Sequence, residues 1–256
     1  MTGVQTCALP IFSIIWGQSE IGTVQPIAQL GTIARQRGVI FHTDAVQIAG
    51  RLPIDVQRLP VDLLSISSLK IYGPQGAGAL YVRPGVTLFP MMRGGGQEDG
   101  WRSGTQAIGV LAGFGLAAEL IQSEMEFESH RLRLLRNRLF EQLAGTGLKP
   151  TGSLINRLPH HASFWMPDAD GETLSGKTLV RQMNLAGIGI SAGAACSSGK
   201  LSPSLILKAI GFNDRMAKTG IRLSLGRSTT VEDINWTIMV LKQVLNRVAV
   251  GVAIGS

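Results

Sequence analysis

From residue 12 onward the chain alternates short apolar runs with longer stretches whose apolar residues recur every three or four positions. FSIIW at 12–16 predicts a short buried strand, and QPIAQLGTIARQRG at 25–38 has helical spacing, with Pro26 near the first turn and Gly38 at the end. VIFH at 39–42 predicts the next strand. VDLLSIS at 61–67 and AGALYV at 77–82 predict two more, divided by the turn-forming Gly73-Pro74-Gln75-Gly76. Strands separated by helices in this order predict an α/β fold, a largely parallel sheet flanked by helices.

The pattern changes near Gly104. From there to about Ala144 it is helical almost throughout, with the charged stretch EMEFESHRLRLLRNRL inside it, and a long helix linking two domains accounts for it. Beyond it, ASFWM at 162–166, IGIS at 188–191 and IRLSL at 221–225 predict strands. Helices are expected over 171–187, 202–211 and 231–248. The expected organisation is a partial large domain over 12–124 and a small α+β domain over 125–256, with no internal repeat.

Residues 1–11 stand apart. TGVQTCALPI, beginning at Thr2, reads like a translated sequencing adapter, so it is set outside the fold, Cys7 is given no chemistry, and the natural N-terminal part is expected upstream. With 45% hydrophobic and 16% charged residues, the chain can bury a substantial core. A net charge of +7 is spread among acidic residues without a sustained basic run, which argues for an anionic small ligand and against a nucleic-acid partner. Two cysteines are too few for a disulfide framework or a four-thiolate metal site, so no metal and a reducing, cytoplasmic setting are expected. No apolar run free of interruption reaches bilayer length, so no membrane partner is expected.

Four short segments hold the candidate chemistry: HTDAVQ at 42–47, SISSLKIYGPQGAG at 65–78, RSGT at 102–105 and SAGAACSSG at 191–199. The first puts a carboxylate just past a strand end, where open α/β sheets bind ligands. The second puts a lysine between two strands, beside hydroxyls and glycines. An amine, a carboxylate and phosphate-binding hydroxyls are what a phosphate-bearing aldehyde cofactor requires. GPQGAG is not a nucleotide-binding loop, since no Gly-Lys-Ser/Thr follows at the right spacing. Cys196 lies in a run of small residues suited to a moving loop.

Taken in order, these segments resemble the cysteine desulfurases of the nitrogen-fixation and housekeeping iron–sulfur type, members of the class-V aminotransferases. The resemblance also rests on EIGTVQPI at 20–27, HTDAVQIAGRLPIDV at 42–56, GGGQEDGWRSGT at 94–105, SAGAACSSGKLSPSLILKAIG at 191–211 and IRLSLGRSTTVEDI at 221–234. It implies an aspartate-aminotransferase-like fold of the pyridoxal-phosphate enzymes, here with an incomplete, mostly parallel sheet. It further implies pyridoxal 5'-phosphate as cofactor, L-cysteine as substrate, a homodimer, and a sulfur-acceptor or scaffold protein as partner, in iron–sulfur cluster or thio-cofactor synthesis.

Residue by residue, the resemblance makes Lys70 the lysine that holds the cofactor covalently and shuttles the substrate's α-proton. Asp44 matches the carboxylate facing the pyridine nitrogen, and Gln47 the donor to the ring oxygen. Ser67 matches a phosphate-binding hydroxyl, and Thr105 a phosphate contact given across the dimer interface. Arg222 matches the guanidinium that pairs with the substrate carboxylate, and Cys196 the thiol that accepts the sulfur.

Two positions depart from the family pattern. Leu69 stands where the family has a histidine before the lysine, and Gln18-Ser19 where it has Asn-Asn, which leaves Ser19 as the cofactor contact at the second site. The family's upstream phosphate-binding turn and ring-stacking histidine are not found. His42 is expected at the cofactor-side strand end, and His130, His160 and His161 on the surface or in the small domain. Two other readings stay open on the sequence: an inactive or degenerate non-catalytic homologue, and a selenocysteine lyase or aminotransferase relative using the same cofactor.

Overall fold

The computed structural model describes residues 11–167, 174–193 and 202–254. It divides into two compact units, one made of Met1–Gly17 with Gln25–Glu126, the other of Gln18–Val24 with Phe127–Ser256. In the first unit β1 (Ile11–Ile15), β2 (Ile40–Asp44), β3 (Leu63–Ser67) and β4 (Gly78–Val82) form a sheet in that spatial order. β1, β2 and β3 are parallel, and β4 returns antiparallel along β3. The sheet is mostly parallel, as the strand–helix alternation predicts.

Alternation of side chains across these strands gives the sheet two unlike faces. On one, α1 (Ile27–Gln36) buries Ile27, Gly31 and Ala34. A Cβ on Gly31 would stand 3.0 Å from the Phe41 ring, so the missing side chain lets the helix approach the sheet. Phe12 stacks on Phe41 on that side, ring centres 5.5 Å apart. The opposite face is polar. There His42 bridges Ser13 of β1 (2.7 Å from Nδ1) and Ser65 of β3 (2.8 Å from Nε2).

Two strand expectations need correction. The first strand begins at Ile11, one residue into the segment set aside, and is largely exposed rather than buried. It lies at the sheet edge with β2 on one side only, so its alternate side chains lack cover. IGIS forms no strand. Ser191 makes a single bridge to Arg222, with reciprocal backbone bonds of 2.9 and 2.7 Å, and Gly187 and Gly189 weaken extended pairing before it.

The second unit holds a three-stranded antiparallel sheet, β5 (Lys149–Pro150), β6 (His161–Trp165) and β7 (Ile221–Ser224), in that order. Its core joins Leu132, Leu135 and Leu139 of α2 (Ile108–Gln142), Phe164 of β6, Leu179 and Met183 of α3 (Gly176–Leu185), and Ile238 and Leu241 of α6 (Val231–Ile254). Capping fixes the helix starts. The Ser175 hydroxyl accepts from Thr178 N–H at 3.1 Å, Ser204 caps α4 (Leu205–Ala209) through Leu207 N–H at 3.0 Å, and Asn213 caps α5 (Asp214–Ala217).

Helix α2 changes one further expectation. Among the described residues it is the single helix long and apolar enough, by length and composition, to cross a bilayer. Some of its apolar residues are packed, Phe114 and Ile121 against Ile71 in the first unit and Leu132, Leu135 and Leu139 in the small core, while Ile108, Leu116, Leu120, Phe127 and Leu134 are exposed.

Candidate functional site

The carboxyl ends of β2 and β3 are neighbours in a parallel pair, with Asp44 in register with Ser65. This is the edge where an open parallel sheet presents groups to a ligand. Asp44 ends β2, and its Oδ1 accepts the Val46 N–H at 2.9 Å, which turns the chain into the tight bend carrying Gln47. Ser67 ends β3, and a single 3-10 turn, Ser68–Ile71, follows at once with Lys70 exposed on it. Four expected site residues, Asp44, Gln47, Ser67 and Lys70, thus lie at one sheet edge.

The lysine turn is held from behind. Ile71 is buried with Phe114 and Ile121 of α2, and a Cβ on Gly113 would meet Pro74 at 2.6 Å, so the helix approaches the turn closely. A Cβ on Gly73 would collide with the Ser68 hydroxyl and reach Ala117 at 3.1 Å. Tyr72 takes a left-handed conformation (φ 67°) at the end of the turn, and its hydroxyl accepts from Arg51 Nη2 at 2.9 Å. Packing one side of the turn leaves Leu69 and Lys70 exposed on the other.

The chemistry of this edge fits pyridoxal phosphate. It offers a carboxylate for a pyridine nitrogen, an amine for an aldehyde, and hydroxyls at Ser65 and Ser67 for anionic oxygens. The Ser68 hydroxyl is buried with no hydrogen-bond partner among the described residues, beside Gly73 on the packed side of the turn. Leu69 is exposed and donates nothing. Burial holds the His42 imidazole below its ordinary range and the nearby Asp44 carboxylate offsets part of that, so a mainly neutral ring links the two serines.

The other expected residues lie elsewhere. Thr105 is exposed, next to Gly104, whose N–H donates to Gln97 Oε1 at 3.0 Å. Arg222 and Ser19 belong to the small unit, and Arg222 Nη1 donates to the Ser19 carbonyl at 3.0 Å. Burial lowers the affinity of the Arg222 guanidinium for its proton, and Glu20 acts the other way. Cys196, like Cys7, lies outside the described residues. Among the described residues no cluster of three or more His, Cys, Asp or Glu is placed to hold a metal ion.

Some polar groups escaped the sequence reading. His161 is 1% exposed and His160 is buried beside it, so neither is a surface residue, whereas His130 is exposed. Glu20 is also buried and accepts from the Ser204 hydroxyl. Arg157, buried without an acidic partner in its hydrogen bonds, donates to the carbonyls of Ser153 and Thr151, and burial pushes it down to about 10. The available signal was positional: His161 opens the mostly apolar run HASFWM, and Glu20 opens the EIGTVQPI segment.

The class-V aminotransferase family model matches residues 7–236. The chain is 42% identical over 238 residues to cysteine desulfurase IscS of Methylococcus capsulatus, covering 92% of this chain and 57% of that protein. It is also 42% identical over 245 residues to the IscS of Photorhabdus laumondii, covering 93% and 58% respectively. A NifS-like protein structure from Rickettsia africae superposes with a TM-score of 0.83 at 30% identity, over 93% of this chain and 62% of that one. The chain therefore spans little more than half the length of these relatives.

Proposed function

The chain belongs to the class-V aminotransferases, a family that works with pyridoxal phosphate, and from that premise we propose that the protein is a cysteine desulfurase acting on L-cysteine. The activity is proposed for a protein of the relatives' full length. What supports the reading is that Asp44 ends β2 and Lys70 lies on the turn that follows the adjacent parallel strand β3. When bound, pyridoxal phosphate acts as an electron sink for the substrate's Cα.

In this reading Lys70 Nζ takes and returns the Cα proton. The Asp44 carboxylate would pair with the pyridine nitrogen and favour its protonated form. Gln47 would donate to the ring oxygen, and Ser67 would hold the phosphate together with Thr105 supplied by a second copy in a homodimer. Ser19 would contact the cofactor, and Arg222 would pair with the substrate carboxylate through its planar fork. The Cys196 thiolate takes the substrate sulfur: the Cβ–S bond breaks, the carbon gains a proton to leave L-alanine, and the enzyme holds a persulfide. A sulfur-acceptor or scaffold protein then receives that sulfur, in the cytoplasm. Residues 12–124 are read as part of the cofactor domain and 125–256 as the small domain; the compact units change at Glu126, near that boundary, but Gln18–Val24 groups with the second unit.

The test is a comparison of wild type with C196S in L-cysteine. The wild type should give L-alanine and persulfide sulfur in equal amounts, and C196S should keep its cofactor yet lose desulfuration. Alanine and sulfur released by C196S at the wild-type rate would refute the reading.

A further inference from the structure

One backbone oxygen in the small unit receives two side-chain donors. The Ser19 carbonyl accepts from His161 Nε2 at 3.0 Å and from Arg222 Nη1 at 3.0 Å. The two donors stand on neighbouring strands, since β6 and β7 pair Ser163 with Arg222 and His161 with Ser224. With an oxygen at Nε2, the imidazole carries its proton there, and Nδ1 is left buried without a partner.

The segment carrying Ser19 is fixed at several points. Gln18 Oε1 accepts the N–H groups of Glu20 and Ile21, and the Gly22 carbonyl accepts the Leu158 N–H at 2.9 Å. Gly22 has φ +75°, and a Cβ there would stand 2.5 Å from His161 Nδ1, so a glycine lets the segment lie flat on the ring. Glu20 is buried and anchored by Ser204, with its Oε2 unpartnered. Arg222 Nε is likewise buried without a partner, so one donor of the fork still awaits an acceptor.

We propose that His161, acting through the Ser19 carbonyl, is a positioning residue that holds the Arg222 guanidinium in the orientation in which it receives a carboxylate. The proposal rests on the reading of Arg222 as the substrate-carboxylate residue. His161 is suited to the task because it stays neutral: burial is the largest cause, and the charges of Arg157 and Arg222 also push its pKa down, to about 3. A neutral ring donates to the carbonyl without repelling the neighbouring guanidinium.

The test uses the cofactor-loaded protein with three variants. H161L removes the donor, H161N shortens it beyond reach of the Ser19 carbonyl, and H161Q restores an amide donor. H161L and H161N should raise KM for L-cysteine about tenfold with kcat nearly unchanged, and H161Q should stay close to wild type. Calorimetric affinity for the product L-alanine should fall by the same factor, and nitrogen NMR should show His161 as the Nε2–H tautomer. An unchanged KM in whichever of H161L and H161N folds, or an Nδ1–H tautomer, would overturn the proposal. R222A separates the two claims: if it raises KM about a hundredfold while the His161 variants leave KM alone, only the positioning role fails. If R222A leaves KM unchanged, the reading of Arg222 itself fails.

Discussion

At the carboxyl edge of the four-stranded sheet, Lys70 is exposed and Asp44 half-buried, and their surroundings are open. In the small unit, His161, Glu20 and Ser204 are buried, and the Ser19 carbonyl already carries two donors. The first region is packed on one side, since Ile71 is buried with Phe114 and Ile121, while Lys70 is exposed. The second is fixed on nearly every side, with Arg222 Nε left unpaired. A group that orients a substrate gains from being locked before the substrate arrives.

That contrast can be broken by changing one side at a time. The largest effect is expected at the open edge, where D44N should cost roughly two orders of magnitude in turnover with little change in melting temperature, because the carboxylate serves the ring nitrogen rather than the core. A stability loss as large as the activity loss would place Asp44 in the structural class instead.

In the buried region the dominant effect is on stability and depends on pH. His161 has its folded pKa pushed from 6.5 to about 3, so the unfolded chain binds a proton there that the folded chain refuses. This contribution to stability is fully present above 6.5 and is lost as pH falls towards 3, at about 1.4 kcal/mol per pH unit. Urea unfolding of wild type and H161Q between these limits should show a steeper acid loss in wild type. Parallel curves would mean that His161 is not held neutral.

A smaller change is expected behind the lysine turn. G73A should destabilise the protein by about 1–3 kcal/mol, since the added methyl collides with the Ser68 hydroxyl and crowds Ala117. Removing the Ser175 cap with S175A should cost only about 1 kcal/mol, read from the urea midpoint, and leave cofactor binding unchanged.

The open region was far more legible in the sequence than the buried one. HTDAVQ and SISSLKIYGPQGAG are contiguous, and short segments that end parallel strands carry their function in local spacing. The strand–helix alternation likewise located β2, β3, β4 and α1 within a residue or two. The Ser19–His161–Arg222 cluster joins residues up to 203 positions apart, and no periodicity signals such a contact. IGIS has the composition of a strand but keeps one bridge, and FSIIW has the composition of a buried strand but occupies an edge, because partners in space decide both outcomes.

The claim that Lys70 and Asp44 share one ligand is tested most directly by trapping. The protein is incubated with substoichiometric pyridoxal phosphate, reduced with borohydride, and mapped by peptide mass spectrometry, with D44N alongside. The pyridoxyl label should fall on Lys70 in the wild type and drop sharply in D44N. A label spread over exposed lysines such as Lys149, or one on Lys70 that D44N leaves undiminished, would contradict the account.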